Sequence, residues 1–143
     1  MAHEIPAHFG DKASYKFWRD SKTRFADMDL TTHVDQAVYV TLFQDARIQF
    51  WKWADHDIMG PVNGLVMVRF SVDIVRAIEH PTTTRIGTRI TKMGNSSVAY
   101  GQGMWDGAGN FCAIAEAVNV QVDLKTGKAV PWDADLKKRL LAL

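Results

Sequence analysis

A chain of 143 residues has the size of one ordinary domain and can bury roughly 68–70% of the surface its unfolded form exposes, so a core needs no disulfide or metal staple. Lys plus Arg number 17 against 16 Asp plus Glu, a formal net charge of +1, which gives polyanions no field to follow and excludes nucleic acid as an expected partner. The single cysteine, Cys112, cannot close an internal disulfide, and no stretch has the apolar length of a signal peptide or membrane span, so a cytoplasmic protein without membrane association is expected.

Residues 1–13 read as a mobile polar tail. His3 and His8 lie within it and make a poor metal site there, and neither metal nor cofactor is expected. Tyr15 to Phe25 is rich in aromatic and β-favouring residues and reads as a strand, running into the polar loop Asp27-Met28-Asp29-Leu30-Thr31-Thr32-His33. From Gln36 to Trp53, Tyr39, Leu42, Phe43, Ala46, Phe50 and Trp53 recur three or four apart with no Gly or Pro between them, which predicts one long helix with Asp35 as its N-cap. Val38, Val40, Ile48 and Trp51 add apolar groups on its other faces, so the helix is expected to be buried on most sides. Gly60-Pro61 and Asn63-Gly64 mark a return loop.

The remainder reads as antiparallel strands. Val66, Val68, Phe70, Val72 and Ile74 alternate with Met67, Arg69, Ser71 and Asp73, the period of a strand with unlike faces. Thr84 to Lys92 and Ser97 to Trp105 are joined by the turn Gly94-Asn95-Ser96, and Asp106 to Asn110 leads into a strand from Phe111 to Leu124. A turn at Lys125 to Lys128 precedes a short helix from Asp133 to Leu143. The sum is an α+β domain in which a curled antiparallel sheet wraps one long central helix. Trp18, Trp51 and Trp53, among five tryptophans, are expected in a core or subunit interface; Trp51, Trp53 and Trp105 could equally line a pocket.

The run Arg24-Phe25-Ala26-Asp27-Met28-Asp29-Leu30-Thr31-Thr32-His33-Val34-Asp35-Gln36-Ala37-Val38-Tyr39, followed by Phe43 and Arg47, resembles the motif of 4-hydroxybenzoyl-CoA-thioesterase-like hot-dog proteins. Val72-Asp73-Ile74, the Met93 to Ser97 turn and Val120 to Asp123 with Thr126-Gly127 follow in the family's order. Three positions depart from the pattern: Thr32 stands where Gly is usual, Asp35-Gln36 replaces Asn-Asn, and Gln44 replaces a Glu.

The resemblance implies a hot-dog domain over 1–143 that hydrolyses an acyl-CoA to free acid and CoA, as a homodimer or homotetramer with its active site between subunits. Asp29 would be nucleophile or general base, and the backbone N–H of Gln36 the oxyanion donor at the helix N-terminus. His33 could contact substrate or orient the loop. Asp27 reads as structural, and Arg47 as the partner of a carboxylate. Coenzyme phosphates need cations near a pocket mouth, for which Arg76, Arg85, Arg89 and Lys92 are candidates, and the resemblance adds Gly94, Asn95, Ser96 and Ser97 as a turn of close backbone approach. Cys112 reads as a buried strand residue. Two other readings share the fold: a non-catalytic acyl-thioester-binding protein, and an enoyl-CoA hydratase, whose G-D-x-N-P-x-H pattern is not matched by the Asp29 to His33 spacing.

Overall fold

The computed structural model describes residues 6–54 and 63–143. Five strands, β1 (Phe17–Lys22), β2 (Asn63–Ile74), β3 (Thr83–Met93), β4 (Ser97–Trp105) and β5 (Phe111–Asp123), form one sheet in the order β1-β3-β4-β5-β2, with every neighbouring pair antiparallel. Helix α1 (Gln36–Trp53) lies against the inner face, and a short α2 (Ala134–Leu141) closes the chain.

Helix α1 begins where the sequence places it because Asp35 Oδ1 accepts from the Ala37 N–H at 2.8 Å, satisfying one of the donors that a first turn leaves open. Its inward stripe of Tyr39, Phe43 and Ala46 packs on Ile86, Met104, Ala113 and Ala115, while Phe50 and Trp51 pack with Val98, Tyr100 and Leu140. Phe43 has no exposed surface, and burial of that kind stabilises by roughly 1.5–3 kcal/mol per side chain. The sheet wrapped on one long helix is the expected architecture.

Four regions of the chain differ from expectation. Strand β1 is shorter than predicted, because Thr23 turns to bond Thr82 and Phe25–Asp27 forms a 3-10 turn. The alternation read along β2 is broken: the register with β5 steps from Met67↔Asn119 to Arg69↔Val118, so Val68 is a bulge. One extra residue reverses the parity of everything before it. Leu65 and Met67, not Val66 and Val68, therefore share a face with Phe70 and line the same cavity. In the return loop, Asn63 and Gly64 already belong to β2, while Gly60 and Pro61 lie outside the described residues.

The third difference concerns α1, which within one chain is not covered on most sides: Val40 is 43% exposed and Ile48 36%. The fourth is at the N-terminus, where two 3-10 turns, Ala7–Gly10 and Lys12–Ser14, replace the described part of the expected tail. Phe9 is buried on the sheet's outer face over Gly101 and Gly103, and a Cβ at Gly103 would fall 2.6 Å from the Phe9 carbonyl oxygen. Tyr15 donates its hydroxyl proton to that same carbonyl.

Candidate functional site

The loop between β1 and α1 is built around two aspartates with different surroundings. Asp27 is buried, and its carboxylate accepts from the Arg24 backbone N–H at 2.8 Å and from Arg24 Nη2 at 2.8 Å. These bonds from Arg24 hold its carboxyl below the usual carboxylate range. The Asp27 backbone carbonyl in turn receives the Asp35 N–H at 2.8 Å, which ties the loop to the start of α1. Asp27 is thus structural, as its sequence position suggests. Asp27→Asn is expected to lower stability by about 1.5–3 kcal/mol, the range for charge-assisted bonds to a buried carboxylate. Because its native pKa is depressed, that contribution is present above the unfolded carboxylate range and is lost as pH falls through the lower native value. Denaturant melts at pH 7 and pH 3 check it: the gap between wild type and variant should narrow at pH 3.

Asp29 is exposed, and its two oxygens are unequal. Oδ1 accepts from Thr31 Oγ1 at 2.7 Å, the Thr31 N–H at 2.8 Å and the His33 N–H at 3.2 Å. Among the described residues Oδ2 receives no bond. The Thr31 hydroxyl, and then the backbone donors, lower the Asp29 pKa, so the group is an anion at neutral pH.

The Thr31 hydroxyl has one proton, and an ionised carboxylate can only accept. With that proton given to Asp29, the 2.9 Å contact from Thr31 Oγ1 to His33 Nδ1 requires the imidazole to donate. His33 therefore carries a proton on Nδ1, and its Nε2 lies 3.7 Å from Glu79 Oε1. Thr31 is a member of the site to which the sequence motif gives no role. The signal was there in the Asp-x-Thr spacing, which lets an aspartate accept from the backbone two residues on.

Thr32, where the resemblance has Gly, adopts φ 66, the left-handed conformation that a β-branched residue rarely takes. The loop keeps the shape that glycine would permit, with the Thr32 N–H on the Asp29 carbonyl at 3.3 Å. Behind it, Asp35 engages the Ala37 N–H by its side chain and the Val38 N–H by its carbonyl. The Gln36 N–H, first in the helix, has no partner among the described residues. Asp29, His33 and Gln36 thus belong to one short turn-to-helix unit, pinned to the segment between β2 and β3 by Val34 N–H on the Ile78 carbonyl at 2.8 Å.

The coenzyme-side candidates divide between the two ends of the sheet. Arg76 follows β2 at the end nearer Asp29, with its N–H on the Cys112 carbonyl. Lys92 and Gly94 to Ser97 lie at the far end of β3, an 11-residue strand about 35 Å long if fully extended at roughly 3.3 Å per residue, whereas the Asp29 loop lies beside its start. There the turn is held by Trp132, whose Nε1 donates to the Ser97 carbonyl and whose N–H donates to that of Asn95. Arg85 lies over the Trp18 ring and 3.6 Å from Asp20, and Arg89 Nε is buried without a bond among the described residues.

Arg47 corrects the sequence expectation. It is 6% exposed and meets no carboxylate among the described residues; Nη1 donates to Gln102 Oε1 at 2.8 Å and the guanidinium lies 4.8 Å from the Phe70 ring centroid. Gln102 is itself held by the Phe43 carbonyl and Thr88 Oγ1. Arg47 and Trp51 line a cavity of about 400 Å³ between α1 and β2, while Trp105 is core on the other face and Trp53 is 45% exposed. Cys112 is buried, and burial first, then Asp106, pushes its thiol up to about 11, so it is no thiolate nucleophile at neutral pH.

A family model described as the thioesterase-like superfamily matches residues 23–140. The uncharacterized protein YsmA of Bacillus subtilis (strain 168) is 25% identical over 130 residues, 91% of this chain and 88% of that one. The PA5185 protein of Pseudomonas aeruginosa strain PAO1 superposes with a TM-score of 0.81 at 26% identity, covering 92% and 94% of the two chains. A thioesterase of Thermus thermophilus, crystallised with coenzyme A and Zn, does so with a TM-score of 0.75 at 24% identity over 90% and 94%. The sheet-wrapped helix is thus the hot-dog fold.

Proposed function

The chain belongs to the thioesterase-like superfamily, and on that premise we propose that it hydrolyses an acyl-CoA thioester to the free acid and CoA, with Asp29 as the reacting carboxylate. The observation that carries this reading is the division of labour at Asp29. Three donors fix Oδ1 and leave Oδ2 open, one helix start away from the Gln36 N–H, which has no partner among the described residues. Such a carboxylate is oriented without being blocked, and the amide ahead of a helix dipole is placed for the charge that develops on a thioester carbonyl.

Two routes fit that geometry. In one, Oδ2 attacks the carbonyl carbon, the C–S bond breaks, CoA leaves as thiolate and takes up a proton, and water then cleaves the mixed anhydride. In the other, Oδ2 takes a proton from a water whose oxygen attacks the carbonyl carbon instead, the C–S bond breaks, and CoA leaves as thiolate and takes up that proton. Both need ionised Asp29, whose pKa is lowered, so activity should persist as pH falls through the ordinary carboxylate range, about 4, and fail only below it.

Thr31 is read as the positioning residue of this loop. Thr31→Val removes the hydroxyl that orients Oδ1 and holds the His33 tautomer, and kcat is expected to fall roughly 10-fold from misorientation, with KM little changed. Thr31→Ser should restore it. Nitrogen NMR of the His33 ring adds a readout independent of turnover: the Nδ1–H form should dominate in wild type and Thr31→Ser and lose its dominance in Thr31→Val.

The working form is read as a homodimer, alone or paired into a tetramer. Strand β2 is an open edge of 12 residues, and Val66, Met67, Val68 and Ile74 on it are 40–58% exposed, as is Val75 beyond it. Edges of this length and apolarity are usually paired or covered. Phe25 and Leu30, beside Asp29, are also exposed. A second chain would let Lys92 and the Gly94 to Ser97 turn, at the opposite end of β3 from Asp29 in their own chain, serve the coenzyme bound at a neighbour's site. The likeness to a thioesterase crystallised with coenzyme A is in keeping with a CoA thioester as substrate.

A further inference from the structure

Arg47 is a buried cation whose partners among the described residues are all neutral. Gln102, the Phe70 ring and the nearby Tyr100 surround it, and burial pulls its pKa down only to about 10, so it stays charged at neutral pH. The same residue lines the cavity between α1 and β2 together with Val40, Gln44, Ile48, Met67 and Phe70. Among the described residues that lining contains one cation and no acid.

Gln44 stands three residues before Arg47, a spacing that brings side chains together on a helix, and both face the cavity. A glutamate there would put a carboxylate within reach of Arg47. Glutamine leaves the charge without a carboxylate among the described residues, in a space that is otherwise apolar on most of its wall. Along α1 the residues Gln36, Val40, Gln44 and Ile48 fall on one line, four apart. The cavity's lining begins at Val40, one turn after Gln36, and Arg47 lies about 16 Å beyond Gln36 along the helix axis at 1.5 Å per residue, so an acyl group whose carbonyl met the Gln36 N–H would have to run along this face to reach it. The arginine side chain, leaning back toward the helix N-terminus, shortens that gap.

We propose that this cavity receives an acyl chain ending in an anionic group, the monothioester of a dicarboxylic acid, and that Arg47 holds the distal carboxylate. The guanidinium offers that carboxylate the planar pair of donors it binds best. The proposal rests on the thioesterase reading above and adds to it a substrate class.

The test uses the full chain and thioether analogues of CoA, which have no bond to hydrolyse: ω-carboxyalkyl-CoAs with four- to eight-carbon chains and the matching alkyl-CoAs. Calorimetry should find at least one carboxyalkyl analogue bound ~10-fold more tightly than its alkyl counterpart, about one well-placed ionic contact. Gln44→Glu, at an exposed helix position that leaves the Arg47–Gln102–Thr88 bonds intact, should abolish the preference. Arg47→Met should do the same where it folds. Equal binding of the paired analogues by wild type, or a preference that survives Gln44→Glu, would overturn the proposal. Equal weakening of both analogues in Gln44→Glu, with no preference in wild type, would mean that Arg47 serves the coenzyme phosphates and would also overturn it. Hydrolysis of the corresponding thioesters, measured separately, keeps the two readings apart. A chain that prefers carboxyalkyl-CoA yet hydrolyses nothing retains this inference and loses the thioesterase reading; one that hydrolyses acyl and carboxyacyl thioesters equally does the reverse.

Discussion

Asp29→Asn is expected to lower kcat for thioester hydrolysis by at least ~10²-fold, the lower end for losing a positioned base, while KM stays within a few-fold. The substitution keeps the size of the side chain and leaves an oxygen to receive the Thr31 and His33 donors, so the loop and the melting temperature should be preserved. What it removes is the charge and the lone-pair basicity of the open oxygen. A carboxylate that merely shaped the turn would give the opposite pattern, lower stability with turnover per folded molecule intact. Asp27→Asn is the matched control, since Asp27 is buried under Arg24 and is expected to affect stability far more than kcat. Equal loss of turnover from both variants would remove the special role assigned to Asp29.

The second large effect is expected at the β2 edge. A double substitution, Val66→Lys with Ile74→Lys, places charges on an apolar edge without touching the core, and charged edge residues oppose strand pairing. Sedimentation should show wild type as a dimer or tetramer at micromolar concentration and the variant as a monomer that keeps its circular dichroism. If the site draws groups from two chains, activity should fall at least ~10-fold with dissociation and recover as protein concentration rises, because mass action restores the assembly. A wild-type chain that sediments as a monomer with full activity would end the assembly argument, and with it any role for the Gly94 to Ser97 turn at a neighbour's site.

Much of this architecture was legible from local chemistry. Helix α1 runs from Gln36 to Trp53 as its spacing predicted, because an uninterrupted apolar period and a capping Asp35 act within a few residues of each other. The hairpin turns around Gly94 and Asp106 were legible for the same reason. What escaped depends on partners distant in sequence. The Val68 bulge exists only in register with β5, so a run that alternates cleanly as a string does not alternate in the sheet. Phe9 is anchored by glycines of β4, invisible from the polar composition of residues 1–13. At the site, Asp29 and Asp27 could be told apart only by the family pattern, whereas their unlike surroundings follow from which one Arg24 and the loop backbone reach. Arg47 read as the partner of a carboxylate because arginine usually is; its actual partner, Gln102, comes from β4, and its cavity from the way α1 and β2 part.

The apolar residues on the open side of α1 teach a related lesson. Val40 and Ile48 made the helix look buried all round, and within one chain they are exposed. Apolar character alone does not say what a side chain faces, and these two line the cavity beside β2 instead of packing on the sheet.

The central reading is tested most directly by incubating the wild-type chain with a panel of acyl-CoAs, straight, aromatic and ω-carboxylated, plus an enoyl-CoA, and following free thiol together with the acid product. The account expects saturable, stoichiometric release of CoA and acid from at least one thioester, greatly reduced in Asp29→Asn on the same panel. Saturable binding with no thiol released, or addition of water to the enoyl double bond with the thioester left whole, would contradict it.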